Sequence, residues 1–280
     1  MKQFSSAALL LIFSSCLQNS ESRQESTIAT ASYMVSEEGN TIETRFLPAE
    51  GFCRSEVQDA SFQNYLRELP LHPVGSKVHY FDGRVKENEV YEAVIQFDVG
   101  NRDLQQCADA IMRLRAEYFF ANRLFDSINF NLTNGFNMNF AKWSEGWRVA
   151  VDGNSTKWIK VADQSDSYIT FREYMEFVFT YAGTLSLSKQ LKPVKIKSIS
   201  IGDVFIVGGS PGHAVIVVDL IENALGEKRV LFAQSYMPAQ EIQILKNFED
   251  PVLSPWYKIN DIEVLRTPEW TFAPEHLKTW

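Results

Sequence analysis

The chain has 280 residues, 45% of them hydrophobic and 13% aromatic, and a formal net charge of −8. That is enough length and apolar content for one sizeable core, and no basic stripe suited to nucleic acid interrupts the acidic balance. With four histidines in all, and no ligand spacing around His72, His79 or His276, neither a metal site nor a cofactor is expected.

At the amino terminus Met1-Lys2 is followed by the apolar run Ala7 to Phe13 and then Ser14-Ser15-Cys16. The run is far shorter than the roughly 18 to 20 apolar residues of a membrane span. A positive start, a short apolar stretch and small residues make a secretory signal. The segment resembles the lipobox of bacterial lipoproteins, which implies cleavage before Cys16 and lipid on its sulfur. Residues 1–15 are then a signal peptide, and 16–40 are the lipidated cysteine and a flexible Ser/Thr/Gln/Glu-rich tether. Residues 41–280 remain as a single globular domain in the cell envelope, on the periplasmic or outer-surface side. Its partners are the membrane, through the lipid, and peptidoglycan or an envelope peptide.

Along that domain Thr41 to Leu47 alternates like a strand. Ala60 to Leu69 has helical spacing and ends at Pro70. Val78 to Phe81 and Val90 to Phe97 read as a hairpin pair around Asp82-Gly83. Asp103, with Gln106 three residues on, reads as the capping box of a long helix running to Phe125. Asn129 to Val161 is irregular and carries Trp143, Trp147 and Trp158. A second long helix, Phe171 to Leu191, is interrupted near Gly183. Strands follow at Val204 to Val207, Ala214 to Leu220, Arg229 to Ala233 and Ile242 to Leu245, with a last one near Val264-Leu265. Helices in front and an antiparallel sheet behind make the fold class α+β.

If Cys16 carries lipid, Cys53 and Cys107 remain. Cys107 lies in the first turns of the long helix, where the helix dipole favours a thiolate. Much later, Gly202-Asp203 opens an apolar strand, and Ser210-Pro211-Gly212-His213 leads into the next. This arrangement resembles the NlpC family of papain-like cysteine peptidases and amidases, although Gln106-Cys107-Ala108 stands where compact members carry Asp-Cys-Ser. The resemblance implies a helix presenting a nucleophilic Cys107 to His213 as general base, with a third polar group orienting the ring. A turn centred between Ala224 and Leu225 puts Gln234 opposite Val215 and on the face of His213; a one-residue slip favours Ser235. The Cys107 backbone N–H, with Gln105 or Gln106, is the candidate oxyanion site. Over its whole length the chain resembles the bacterial lipoproteins of domain of unknown function 4846, through Leu104 to Asp109, Arg113 to Tyr118, Tyr181 to Thr184, Pro211-Gly212-His213 and Gln234 to Gln240.

Competing readings stay open. Cys107 is a nucleophile, an inert core thiol or the partner of Cys53 in a disulfide. Cys53 itself reads as structural. His213 is a base or a turn residue, Arg113 and Glu117 form an ion pair, and the tryptophans stack on sugars or pack. The leading expectation is a cysteine hydrolase acting on peptide or amide bonds, with peptidoglycan stem peptides as the suggested substrate. The alternative is a non-catalytic envelope lipoprotein that binds a cell-wall or other ligand.

Overall fold

The structure, a computed structural model, describes residues 35–280; the signal segment, Cys16 and the tether up to residue 34 lie outside the described residues. Chain order begins with α1 (Ile42–Arg45), β1 (Phe52–Arg54), α2 (Phe62–Arg67), β2 (Tyr91–Val94) and α3 (Cys107–Ala121). Two hairpins follow, β3 (Asn129–Asn131) with β4 (Asn137–Asn139), and, after α4 (Phe140–Ser144), β5 (Trp147–Asp152) with β6 (Ser155–Lys160). Next come α5 (Tyr168–Tyr181), α6 (Thr184–Gln190), β7 (Lys192–Pro193), β8 (Val204–Val207), β9 (His213–Asn223) and β10 (Lys228–Gln234). The chain closes with β11 (Gln243–Leu245), β12 (Tyr257–Lys258), β13 (Leu265–Thr267), β14 (Trp270–Phe272) and β15 (Leu277–Thr279).

Among the described residues one large antiparallel sheet runs β2-β11-β10-β9-β8-β15-β7, with β1 added along the far end of β9 and β12 along β10. The protein is therefore a mixed α/β molecule built on an antiparallel sheet with a few helices. Strand β9 is its spine: all residues from His213 to Ile221 are buried. Both its faces are covered, so it reads as a continuous apolar run rather than an alternating one. Helices α2 and α3 pack on β9 and α6 packs on β8.

Several sequence expectations are corrected here. Thr41 to Leu47 is not a strand: the Thr41 hydroxyl accepts from the Thr44 N–H and Thr44 returns the bond, a capping box that starts α1. Val78 to Phe81 does not pair with Val90 to Phe97. Strand β2 pairs with β11, while His79 and Tyr80 make isolated bridges to Val85 and Gln240. The long helix begins at Cys107, not after Asp103. Gln106 is its N-cap, and the Asp109 Oδ2 accepts from the Gln106 N–H at 3.1 Å. Asp103 instead accepts from the Ala239 N–H at 2.7 Å and from Gln106 Nε2 at 3.1 Å. The segment after Asn129 is two hairpins around a short helix, not irregular chain. Near the tether's expected end, Val35 bridges Phe46 and the Ser36 N–H donates to the Arg45 carbonyl at 2.8 Å.

The β9–β10 pair forms as expected. Near the turn Lys228 faces Glu222, and a bulge between Leu231 and Phe232 moves the register by one, so that Ala233 faces Ile216. Continuing that register sets Gln234 opposite Val215, on the face of His213.

Candidate active site

Cys107 is the first residue of α3, and its surroundings are dense. From Cys107 to Leu114 every α3 residue is buried, so this end of the helix is enclosed all round rather than along one stripe. Arg113, 2% exposed, ties the preceding segment down: its guanidinium donates to Gln105 Oε1 at 2.6 Å, to the Asp98 carbonyl and to Glu117 Oε1 at 3.2 Å. The expected Arg113–Glu117 pair is thus present, as part of a larger clamp. The Ser235 hydroxyl, 3.1 Å from the Gln105 carbonyl and 2.8 Å from that of Gln240, joins the end of β10 to the residues before Cys107.

Cys107 opens α3, which packs on β9, the strand that His213 heads, and backbone N–H groups of Cys107, Ala108 and Ala214 act on its thiol as donors. Those donors favour a thiolate, but burial and then the neighbouring Asp109 carboxyl outweigh them and push the thiol up to about 11. The sequence expectation of a lowered thiol is corrected accordingly. Cys107 and Cys53 are both free thiols, Cys107 buried and Cys53 exposed, so no disulfide joins them.

His213 heads β9, and a tight corner aims it. The Thr184 Oγ1 at the start of α6 accepts from the Gly209 N–H at 3.3 Å and donates to the Gly209 carbonyl at 3.1 Å. A Cβ on Gly212 would stand 2.5 Å from that hydroxyl and 2.7 Å from the Val207 carbonyl, which explains the glycine before the histidine. The Gly202-Asp203 pair is a turn device: Gly202 has φ +93° and the Asp203 Oδ2 accepts from the Ser200 N–H at 2.8 Å. The His213 ring is 1% exposed, with Tyr236, Trp270 and Phe272 ring centroids at 5.0, 5.5 and 6.1 Å. Burial, chiefly, and the Lys86 charge lower it to about 4; the Gln234 contact opposes them.

Gln234 meets His213 as the register implied, with Gln234 Oε1 2.8 Å from His213 Nε2. Its amide Nε2 donates to Glu269 Oε2 at 2.5 Å, and Lys86 Nζ reaches both Glu269 oxygens at 2.9 Å. Lys86 and Glu269 were not foreseen. Lys86 lies in the charged run Arg84 to Glu89, which reads like any solvated loop, and Glu269 lies in the β13–β14 turn. Trp270 covers His213, whereas Trp143, Trp147 and Trp158 lie elsewhere: Trp143 packs in the core and the other two flank Lys142.

Beside Cys107 runs an open groove of about 420 Å³ lined by Gln106, Asp109, Thr184, Pro211, Gly212 and Met237, among others. Asp109 is 6% exposed and its Oδ1 has no hydrogen-bond partner; burial raises its carboxyl to about 8. Gln106 lines the groove but donates to Asp103, and Gln105 is held by Arg113 with its Nε2 unpartnered. No group of metal-ligating side chains occurs among the described residues; His72 and His79 both approach Glu241 instead.

The fold and site thus define a mixed α/β protein in which a helix opened by a cysteine packs on a strand headed by a histidine, the histidine held by a glutamine. The family model of domain of unknown function 4846 matches residues 42–279, and the chain belongs to that family. Comparison with curated proteins and with solved structures returned no match.

Proposed function

We propose that this protein is a cell-envelope lipoprotein whose domain is a papain-like cysteine hydrolase of peptide or amide bonds, with Cys107 as nucleophile, His213 as general base and Gln234 as orienter. One observation carries the reading: Cys107 opens α3, which packs on β9, and His213 heads β9 with its Nε2 2.8 Å from Gln234 Oε1. The thiol high and the imidazole low describe a resting pair that is neutral on both sides. In the reaction His213 Nδ1 takes the thiol proton as sulfur attacks the substrate carbonyl carbon, and the C=O electrons move to oxygen. Collapse of that intermediate breaks the C–N bond, the amine leaves with the proton from His213, and a thioester remains. Water, deprotonated by His213, then attacks the thioester, releasing the carboxylic acid and restoring the thiol. Backbone N–H groups at the start of α3 and the partner-free Asp109 carboxyl are the donors available to the oxyanion.

Peptidoglycan stem peptides are the substrate class proposed. The test is incubation of purified protein with stem-peptide fragments: new amino groups are expected with the wild type and not with Cys107→Ala, and equal release from both would contradict the reading. A second reading, a binding lipoprotein that keeps this fold, draws on the near-complete cover over His213. It expects fragment binding by both proteins with cleavage by neither.

A further inference from the structure

Lys86, Glu269, Gln234 and His213 form a continuous line of hydrogen bonds, and the triad alone does not account for its far half. Lys86 is 3% exposed and Glu269 lies in the turn before Trp270. Burying an ion pair costs desolvation that mutual attraction repays only with good geometry, so such a pair is weak as a stability device. Its geometry here dictates orientation. A carboxylate can only accept, so the Gln234 amide must turn its NH₂ toward Glu269. The Gln234 carbonyl then faces His213, and the ring must carry its proton on Nε2.

We infer that Glu269 and Lys86 are positioning residues for His213: the carboxylate, neutralised by Lys86, fixes the Gln234 amide and so the Nε2–H tautomer that leaves Nδ1 bare. The catalytic meaning of this assignment rests on the hydrolase reading, because only a base needs a bare Nδ1. The charged and titratable groups around His213 are Lys86 from the loop before β2, Glu269 from the β13–β14 turn and Tyr236 beyond β10, with Cys107 and Asp109 of α3 in the neighbouring groove wall beside Gly212. Lys86 and Glu269 act on it with opposite sign. Without Lys86 the imidazolium gains an uncompensated anion nearby; without the Glu269 charge it faces an uncompensated cation.

The experiment is nitrogen–proton NMR of histidine-labelled protein over a pH series, with the His213 signal identified by its loss in His213→Gln. Wild type is expected to show a neutral Nε2–H ring with a midpoint well below that of an exposed histidine. Lys86→Met is expected to raise that midpoint, Glu269→Gln to lower it, and Lys86→Arg to restore it. A wild-type Nδ1–H tautomer overturns the inference with no variant needed, as do shifts of one sign in both variants. An Nε2–H ring with opposite shifts, combined with slow Cys107 chemistry, supports the positioning role and counts against the hydrolase reading alone.

Discussion

Asp109 keeps one carboxylate oxygen on the Gln106 N–H and leaves the other without a partner in the wall of the groove. A carboxyl raised to about 8 holds its proton in the folded state where the unfolded chain has lost it. Between about pH 4 and pH 8 the folded state binds more protons, so this residue's contribution weakens as pH rises. Asp109→Asn keeps the cap acceptor without the charge. It is expected to raise thermal stability by an amount that is near zero at pH 4 and grows to about 4 kcal/mol by pH 7. A pH-independent difference in melting curves would show that Asp109 ionises freely. His213 works the other way on the acid side: its folded pKa of about 4 lies below the ordinary 6.5, so stability is lost as pH falls through that interval. His213→Gln is expected to remove about 3 kcal/mol of that acid-side slope, read from denaturant titrations at pH 4 and 7.

At this scale the sequence disclosed much of the candidate site. Cys107 stood out by its place near a helix start, His213 by its Pro-Gly-His corner, and Gln234 by strand alternation. Lys86 and Glu269 were hidden because an ion pair 183 residues apart leaves no local pattern. Asp109 carries the acidic half of a capping box, and nothing in its spacing distinguishes an exposed cap from a buried one.

Between elements, Asp219 is the main electrostatic joint. Fully buried on β9, it receives Arg54 of β1 at 2.9 Å and Arg67 of α2 at 2.8 Å. Arg54 also donates to the carbonyls of Glu43 and Phe46, which fastens α1 to the same point. Asp219→Ala leaves two guanidinium groups facing an apolar void and is expected to cost about 3 to 5 kcal/mol, measured by denaturant unfolding. A loss under 1 kcal/mol would mean that water already screens the pair. Gly212→Ala forces a Cβ against Thr184 and the Val207 carbonyl. It is expected to cost about 1 to 3 kcal/mol as overpacking does, and to loosen the β9 start that carries His213. The β9–β10 register was legible only in part. Near the turn the register is one residue off that of a turn centred between Ala224 and Leu225, and the bulge between Leu231 and Phe232 restores the pairing that Gln234 needs. Bulges arise from local strand twist and pairing and leave little mark in composition. Likewise α1 alternates like a strand, yet its Thr41–Thr44 box makes it helical.

For the whole molecule, one apolar core cluster reaches from Ile42 to Leu277, and the β15 strand, though last in sequence, lies between β8 and β7. The antiparallel sheet of a mixed α/β molecule was legible because apolar runs of strand length crowd the end of the chain; the hairpins between Asn129 and Lys160 were not, because polar two-stranded pairs carry weak periodicity. No described helix is long and apolar enough to cross a membrane. The anchor proposed from the Ser14-Ser15-Cys16 motif is lipid on Cys16, and Cys16→Ala is expected to move the protein from the membrane to the soluble fraction, or to leave uncleaved precursor, and to abolish lipid labelling. Unchanged lipid labelling and fractionation would exclude that anchor.

The most direct measurement of the central claim is the rate of alkylation of each free cysteine in the folded wild type, followed by peptide mass spectrometry. Exposure alone favours Cys53, which lies at the surface while Cys107 is buried. A thiol served by a general base reverses that order: Cys107 is expected to react faster than Cys53 with a small amide-bearing reagent, and His213→Gln to slow Cys107 by about a hundredfold or more while leaving Cys53 unchanged. Faster labelling of Cys53, with Cys107 modified only when the protein unfolds, would contradict the account.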